Sequence, residues 1–464
     1  MRISPLKPRL SKTHCLPFDG FPKGIYSINQ KSLPVNEASN LFDALSQPPL
    51  VSIRLNPKKT NTIEVLHEKI EHCSTGYFLK ERPLFTADPT LHAGAYYPQE
   101  ANSMWIGEVF SFLKNEFQEN PWTVLDMCAA PGGKTTDISS RLDENDLLIA
   151  NEVVSHRNNI LFENVCKWGD GNTVISRTDA KVFKQHPDLF DVVFCDAPCS
   201  GEGMFRKDAT AVKEWSLENV ELCSKRQQRI FFDTWNSLKP GGFFVYSTCT
   251  FNTKENEENV AMFCKETGGS LIEFEHPFIE NLLSLQEKTY RCLPHKSKGE
   301  GLFFAIIQKP QVPSFGTKKH KYTAPQIHIP FNHKGFTAIE NHKKEVYLIK
   351  NHNPQTLLSI PGVVHFGIPI GSVIREKWKP HPAIALNTEL RNHLPTVELS
   401  DKDAQCYLKR GFLGHSPKKL GGVALVWNDF YLGTANAVKN GLNNLLPMEW
   451  RVRGDFATQS ILCL

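Results

Sequence analysis

Val51, Ile53 and Leu55 alternate with Ser52, Arg54 and Asn56, the period of a half-buried strand whose open face carries a basic residue. Around it, residues 1–95 hold short mixed elements and end at a Tyr- and Pro-bearing stretch, Tyr96, Tyr97 and Pro98. From about residue 101 the pattern changes. Trp105, Val109, Phe110 and Leu113 share one helical face, and WTVLDM then reads as a short buried strand ending at Asp126. A glycine turn, a helix and the strand LLIANEV follow. Then come a helix over 155–167, the strands NTVISRTDA and FDVVFCDAP, a helix over 208–238 and the strand GGFFVYSTC. Strands separated by crossovers of helical length predict a doubly wound α/β core with a mainly parallel sheet over 96–308. A closing hairpin is expected in TYRCLPHKSKGEGLFFAIIQK, where Leu302 to Ile307 is strongly apolar.

Residues 309–325 combine prolines with the basic cluster Lys318, Lys319, His320 and Lys321 and show no apolar period, as an exposed linker does. Beyond it, YLIKN, GVVHFGIPIGSVI and GGVALVWNDFYLGTANAV read as short strands with glycine turns. They predict an intermediate small domain over 326–400 and a mostly β module over 401–464. No internal repeat is visible.

Composition narrows the class. The 464 residues are 40% hydrophobic, enough for several cores, and 53 basic against 49 acidic side chains leave a net charge of only +4. Mean hydropathy is −0.33, and charges interrupt every apolar run before membrane-spanning length. MRISPLKPRL leads into polar sequence and carries no export signal. Twelve irregularly spaced cysteines fit reduced thiols in a cytoplasmic protein.

Ligands of open α/β sheets bind outside the carboxyl ends of the strands, where Asp126, Glu152, Asp179 and Asp196 stand. Gly132 and Gly133 in DMCAAPGGKTT permit a tight turn with close backbone approach. Neither GxxxxGK[ST] nor GxGxxG is present, which argues against a phosphate-loop or nicotinamide site. Glu152, 26 residues after Asp126, stands where an acid grips ribose hydroxyls, so a nucleoside-bearing cofactor is expected. Cys199 and Cys249 follow two strand ends and would face one crevice amid glycines and polar residues. Cys128, Cys166, Cys195, Cys223 and Cys292 read as small buried hydrophobes. No CxxC pair or matching histidine set suggests a metal. Arg206 and Lys207, in a glycine-containing loop near Cys199, form a basic pair suited to phosphate contact or to a solvated face.

DMCAAPGGKT, the NE pair with Arg157 after it, DAPCSGEGMFRKD and YSTCTFNTKENEENV resemble the motifs of the Nop/Sun family of RNA (cytosine-5) methyltransferases. YYPQEANSM at 96–104 resembles the sequence preceding that family's catalytic core. RCLPHKSKGEGLFFA at 291–305 resembles its bacterial ribosomal members of the RsmF type, and the end of the chain resembles their PUA-like RNA-binding module. The resemblance implies a Rossmann-like methyltransferase core with an N-terminal RNA-binding region and a C-terminal PUA-like region. It further implies S-adenosylmethionine as donor and C5 of a cytosine in RNA as acceptor. By position, Asp126, Ala129, Ala130, Pro131, Gly132, Gly133, Lys134, Glu152, Arg157, Asp179 and Asp196 correspond to cofactor-site residues. Cys249 corresponds to the attacking thiol, Cys199 to the cysteine used in product release, and Asp196 also to the acid that contacts the target base.

RNA is expected at Arg206 and Lys207, at Arg54, Asn56, Lys58 and Lys59, and at Lys409, Arg410, Lys418, Lys419, Arg451 and Arg453. The aromatics between the last six are expected to fill a small β core. Small-subunit ribosomal RNA is the leading substrate, transfer RNA the alternative, and a non-catalytic ribosome-assembly protein a further one that leaves both cysteines idle. No membrane and no obligate protein partner is implied.

Overall fold

The computed structural model describes residues 21–22, 24–25, 33–60, 68–118, 121–311, 327, 329–350, 352, 357, 359–374, 377–415, 419–454 and 462. Lys418 and the basic cluster 318–321 lie outside them. No helix among the described residues is long and apolar enough to cross a membrane.

The N-terminal unit pairs the helix Val35–Leu45 with a small sheet of Val51–Leu55 (β1), Glu68–Lys69 (β2), Gly76–Leu79 (β3) and Tyr96–Tyr97 (β4), in the order β2-β3-β1-β4. The core strands are Thr123–Asp126 (β5), Leu147–Asn151 (β6), Thr173–Ser176 (β7), Phe190–Asp196 (β8), Leu238–Thr248 (β9), Ser270–Leu271 (β10), Thr289–Cys292 (β11) and Leu302–Gln308 (β12). β5 to β9 run parallel in the order β9-β8-β5-β6-β7, and the β11/β12 hairpin closes the β9 side antiparallel. This is the doubly wound sheet the strand and helix alternation predicts. Its strands are buried on both faces, as Val124, Leu125, Ile149, Val193 and Phe244 illustrate with no exposed surface.

The remaining strands are Phe336–Glu340 (β13), Glu345–Lys350 (β14), Val363–Phe366 (β15), Ile368–Ile374 (β16), Lys377–Pro380 (β17), Thr396–Glu398 (β18), Gly421–Trp427 (β19), Phe430–Val438 (β20) and Gly441–Asn444 (β21). They form the sheets β13-β14-β16-β17 and β18-β19-β20-β21, with one exception. β15 leaves its neighbours and pairs antiparallel with β7, extending the core sheet. The run GVVHFGIPIGSVI is therefore two strands in two sheets, divided at Gly367, whose φ of +73° only glycine adopts freely.

Two further expectations are corrected. The helix over 208–238 is two helices, Ala209–Glu214 and Leu217–Trp235, because Trp215 is extended and Ser216 caps the second by accepting from the Asn219 N–H at 3.1 Å. β1 has no open basic face, since the core covers it. Arg54 is 1% exposed, lies 4.4 Å over the Trp168 ring, and donates to Gln99 Oε1 at 2.6 Å and Thr136 Oγ1 at 2.7 Å, with Asp137 at 3.7 Å. It is a brace between the N-terminal sheet and the helix Gly133–Ser140, and as a buried group it is closed to RNA. Asn56 is equally buried and donates to the Gly94 and Trp168 carbonyls at 3.0 and 2.9 Å. Lys59 is turned inward to the Ala93 and Lys167 carbonyls, and burial brings its pKa down to about 7. Lys59 is half-buried, and Lys58 is exposed and paired with Asp170.

Candidate active site

Asp126, Glu152, Asp179 and Asp196 stand at or just beyond the carboxyl ends of four adjacent parallel strands. Asp126 is buried and accepts from Thr135 Oγ1 at 2.6 Å. Burial pushes its carboxyl up to about 7, with the Asp196 and Glu152 charges adding to the rise. Glu152 accepts from the Val154 N–H at 2.9 Å and faces Arg157 at 3.2 Å, while Arg157 also donates to the Ala130 carbonyl at 2.8 Å. Asp179 accepts from the Lys181 N–H at 3.1 Å and lies 3.5 Å from Arg229. Between them, Gly132 begins the helix Gly133–Ser140 at φ +114°, a conformation that keeps side chains out of the turn.

Asn151 was absent from the sequence-derived site. It donates to the Met127 and Thr178 carbonyls at 3.2 and 3.1 Å and accepts from the Thr178 N–H at 3.1 Å, fastening three strand ends together. Its position beside Glu152 was the available signal, because a buried amide at a strand end must find partners.

The two cysteines meet. Their Sγ atoms are 3.1 Å apart. The hydrogen bond to Cys249, together with burial, holds the Cys199 thiol well above the ordinary range, so Cys199 remains a thiol. Cys249 opens onto a cleft of about 380 Å³ shared with Tyr97, Ala130, Lys134, Asp196 and Lys207. Lys134 Nζ donates to Asp196 at 2.8 Å, and Ser247 Oγ donates to the other Asp196 oxygen at 3.1 Å. Burial would lower the Lys134 ammonium, but the Asp196 carboxylate outweighs it and carries it above its usual value. The Cys249 thiol, the Asp196 carboxylate and the Lys134 ammonium thus meet at one cleft with room for a planar base, and Cys199 stands against Cys249.

The expected RNA contacts divide. Arg206 is 6% exposed, with Nε on Glu300 at 2.8 Å and Nη2 on the Gly299 carbonyl at 2.6 Å, so it is an internal tie and closed to phosphate. Lys207 is 26% exposed at the cleft rim, 3.6 Å from Glu300. Lys409 is half-buried. Arg410 is exposed but donates Nε to the Leu446 carbonyl at 2.8 Å, and Lys419, Arg451 and Arg453 are exposed.

Family models match three stretches of the chain: the N-terminal domain of 16S rRNA methyltransferase RsmF over residues 21–101, 16S rRNA methyltransferase RsmB/F over 113–308, and the methyltransferase RsmF PUA domain over 394–452. The ribosomal RNA small subunit methyltransferase F of Salmonella agona is 30% identical over 92% of this chain and 96% of its own. The chain belongs to the RsmB/F family. The corresponding RsmF of Vibrio atlanticus is 31% identical over 88% of this chain and 93% of its own. Two Pyrococcus horikoshii structures share the fold. One, NSun6 with SFG, has a TM-score of 0.51 at 20% identity, over 64% of this chain and all of its own. The other, a methyltransferase homolog, has a TM-score of 0.53 at 22% identity, over 66% of this chain and all of its own.

This RsmB/F member is an S-adenosylmethionine-dependent RNA (cytosine-5) methyltransferase. The donor half suits that cofactor, since a buried carboxyl bonded to Thr135, acids on the neighbouring strands and a side-chain-free turn match a nucleoside with a cationic tail.

Proposed function

We propose that this RsmB/F member methylates C5 of a cytidine in small-subunit ribosomal RNA, in the cytoplasm, through a covalent bond between Cys249 and C6. Residues 96–308 perform the chemistry, residues 1–95 and 401–464 hold RNA, and 326–400 joins core to C-terminal module; of the linker expected over 309–325, residues 312–325 lie outside the described residues. The observation that carries the reading is the Cys199–Cys249 pair, 3.1 Å apart, with Cys249 opening into the cleft that also holds Lys134 and Asp196.

The chemistry accounts for each residue. Cytosine C5 is too weak a nucleophile to take a methyl group unaided. Addition of the Cys249 sulfur to C6 places an electron pair at C5. Asp196, oriented by Lys134 and Ser247, takes up the proton that the Cys249 thiol gives up and shares it with N3 as charge develops on the ring. Lys134 supplies positive charge within electrostatic reach of Cys249. Bound S-adenosylmethionine, held by the 129–134 turn with Asp126, Glu152, Arg157 and Asp179, supplies the electrophilic methyl. Loss of the C5 proton to a base returns the C6–S electron pair to sulfur, and Cys199, held as a thiol, hydrogen-bonds the departing Cys249. A base inside a duplex cannot reach such a cleft, so the cytidine is unpaired or flipped.

Labelled S-adenosylmethionine with ribosomal RNA, followed by nucleoside analysis, tests the reading. Labelled 5-methylcytidine is expected in small-subunit RNA. Cys249→Ala should lower turnover by about 10³-fold or more and abolish covalent capture on 5-fluorocytidine RNA, whereas Cys199→Ala should accumulate a protein–RNA adduct. Label confined to transfer RNA would overturn the substrate, and wild-type methylation by Cys249→Ala would overturn the mechanism.

A further inference from the structure

Two buried carboxylates link the cysteine loops, each reaching from its own loop into the other. Glu202 lies three residues after Cys199, yet it accepts from the Phe251 N–H at 2.8 Å and from Asn252 Nδ2 at 3.0 Å, both just beyond Cys249. Glu255 lies six residues after Cys249, yet it accepts at 3.0 Å from the N–H of Ser200, the residue following Cys199. Both glutamates have no exposed surface. Trp215 Nε1 completes Glu202 at 3.0 Å, and Gln227 Nε2 and Asn252 Nδ2 complete Glu255 at 2.7 and 2.9 Å. Two smaller bonds join the same loops: Ser200 Oγ with Thr250 Oγ1 at 3.0 Å, and the Gly203 N–H with the Cys249 carbonyl at 2.7 Å.

Desolvating a carboxylate costs several kcal/mol, repaid only when its lone pairs are matched. Here two lie close enough that Glu202 adds to the upward push burial already gives Glu255. Apolar contact would join two loops at lower cost. What the carboxylates add is direction, because their partners are backbone N–H groups within two residues of each cysteine. Neither glutamate lines the cleft, so neither touches the base.

We propose that Glu202 and Glu255 are positioning residues that form a reciprocal latch, holding Cys199 Sγ against Cys249 Sγ for the release step. The proposal rests on the assignment of Cys249 as nucleophile and Cys199 as release thiol. A misplacement of about 1 Å in such a pair is enough to cost roughly 10²-fold in the step that uses it. Every partner of these carboxylates is a donor. Glu→Gln therefore turns one acceptor into a second donor, sets N–H against N–H and parts the loops at nearly constant volume.

Full-length Glu202→Gln and Glu255→Gln test this in two assays. Without RNA, diamide oxidation should form the Cys199–Cys249 disulfide, mapped by mass spectrometry, about 10-fold more slowly than in wild type, with S-adenosylmethionine affinity unchanged as evidence of an intact fold. With RNA and cofactor, kcat should fall at unchanged KM for S-adenosylmethionine, and the denaturant-resistant RNA adduct should accumulate as in Cys199→Ala. Thr250→Val, which removes the Thr250 hydroxyl's bonds to Ser200 and Asn252 and leaves both glutamates in place, should shift both readouts less in the same direction, and it carries the test if the glutamate variants do not fold. An unchanged disulfide rate overturns the latch whatever the RNA assay gives. Slowed disulfide formation with normal turnover and no adduct overturns the release role of Cys199, and with it the latch's purpose.

Discussion

In the donor half of the cleft the strand-end acids bond mainly to their own following segments, Glu152 to Val154 and Asp179 to Lys181, and Asp126 accepts from Thr135. In the cysteine half the carboxylates cross between loops, Glu202 to Phe251 and Glu255 to Ser200. In the proposed mechanism the first half receives and releases the cofactor at every turnover, which requires groups that a ligand can complete. In the proposed mechanism the second half makes and breaks a covalent bond, which requires its parts to be fixed to one another. Lys134 and Asp196 form the seam, a 2.8 Å pair facing Cys249 from the donor side.

The comparison breaks most visibly behind the donor half, where Arg54 buttresses the helix that follows the glycine turn. Arg54→Met should destabilise the protein by roughly 3–5 kcal/mol, because the buried Gln99 and Thr136 oxygens lose a charged donor and Asp137 is left with Arg141 alone. Cofactor affinity should fall with it, and the rate of Cys199–Cys249 disulfide formation should not. Urea unfolding and calorimetric titration give both readouts. A changed salt slope for RNA binding at wild-type stability would instead make Arg54 an RNA contact.

Asp126 sharpens the contrast through pH. Its folded pKa, about 7, is raised above the ordinary 3.8, so the folded protein holds a proton that the unfolded chain has released between those values. Its contribution is fully present below about pH 4 and is lost as pH rises through 7, up to about 4 kcal/mol in all. Asp126→Asn should remove that slope, read as urea midpoints at pH 5 and pH 8 for the cofactor-free protein. A parallel pH dependence in variant and wild type would show that Asp126 ionises normally.

The smallest effect is expected at the rim of the cysteine half. Lys207→Ala should weaken RNA binding a few-fold and reduce the slope of log affinity against log salt by about 1, leaving thiol coupling intact. An unchanged slope would confine Lys207 to its Glu300 pair.

Much of the site was legible because its chemistry is local. The acids, the double-glycine turn and both cysteines each stand at the end of an apolar run or within about two turns after it, and a parallel sheet brings the carboxyl ends of such runs together. The basic residues were less legible. Arg54 and Arg206 look like Lys207 in sequence, since a guanidinium beside apolar residues suits an open face and a buried brace equally well. Glu202 and Glu255 sat inside recognisable motifs, yet their partners are about fifty residues away along the chain and only the fold reveals them.

The sequence by itself determined the alternation of strands and helices, the chemistry at the strand ends and the family, because each depends on neighbouring residues and the period of the backbone. Tertiary structure alone decided which cations face solvent, that Val363–Phe366 joins the core sheet, and that two glutamates cross-link the cysteine loops. These depend on which surfaces meet. A polar side chain takes its role from whether water or another part of the chain satisfies it.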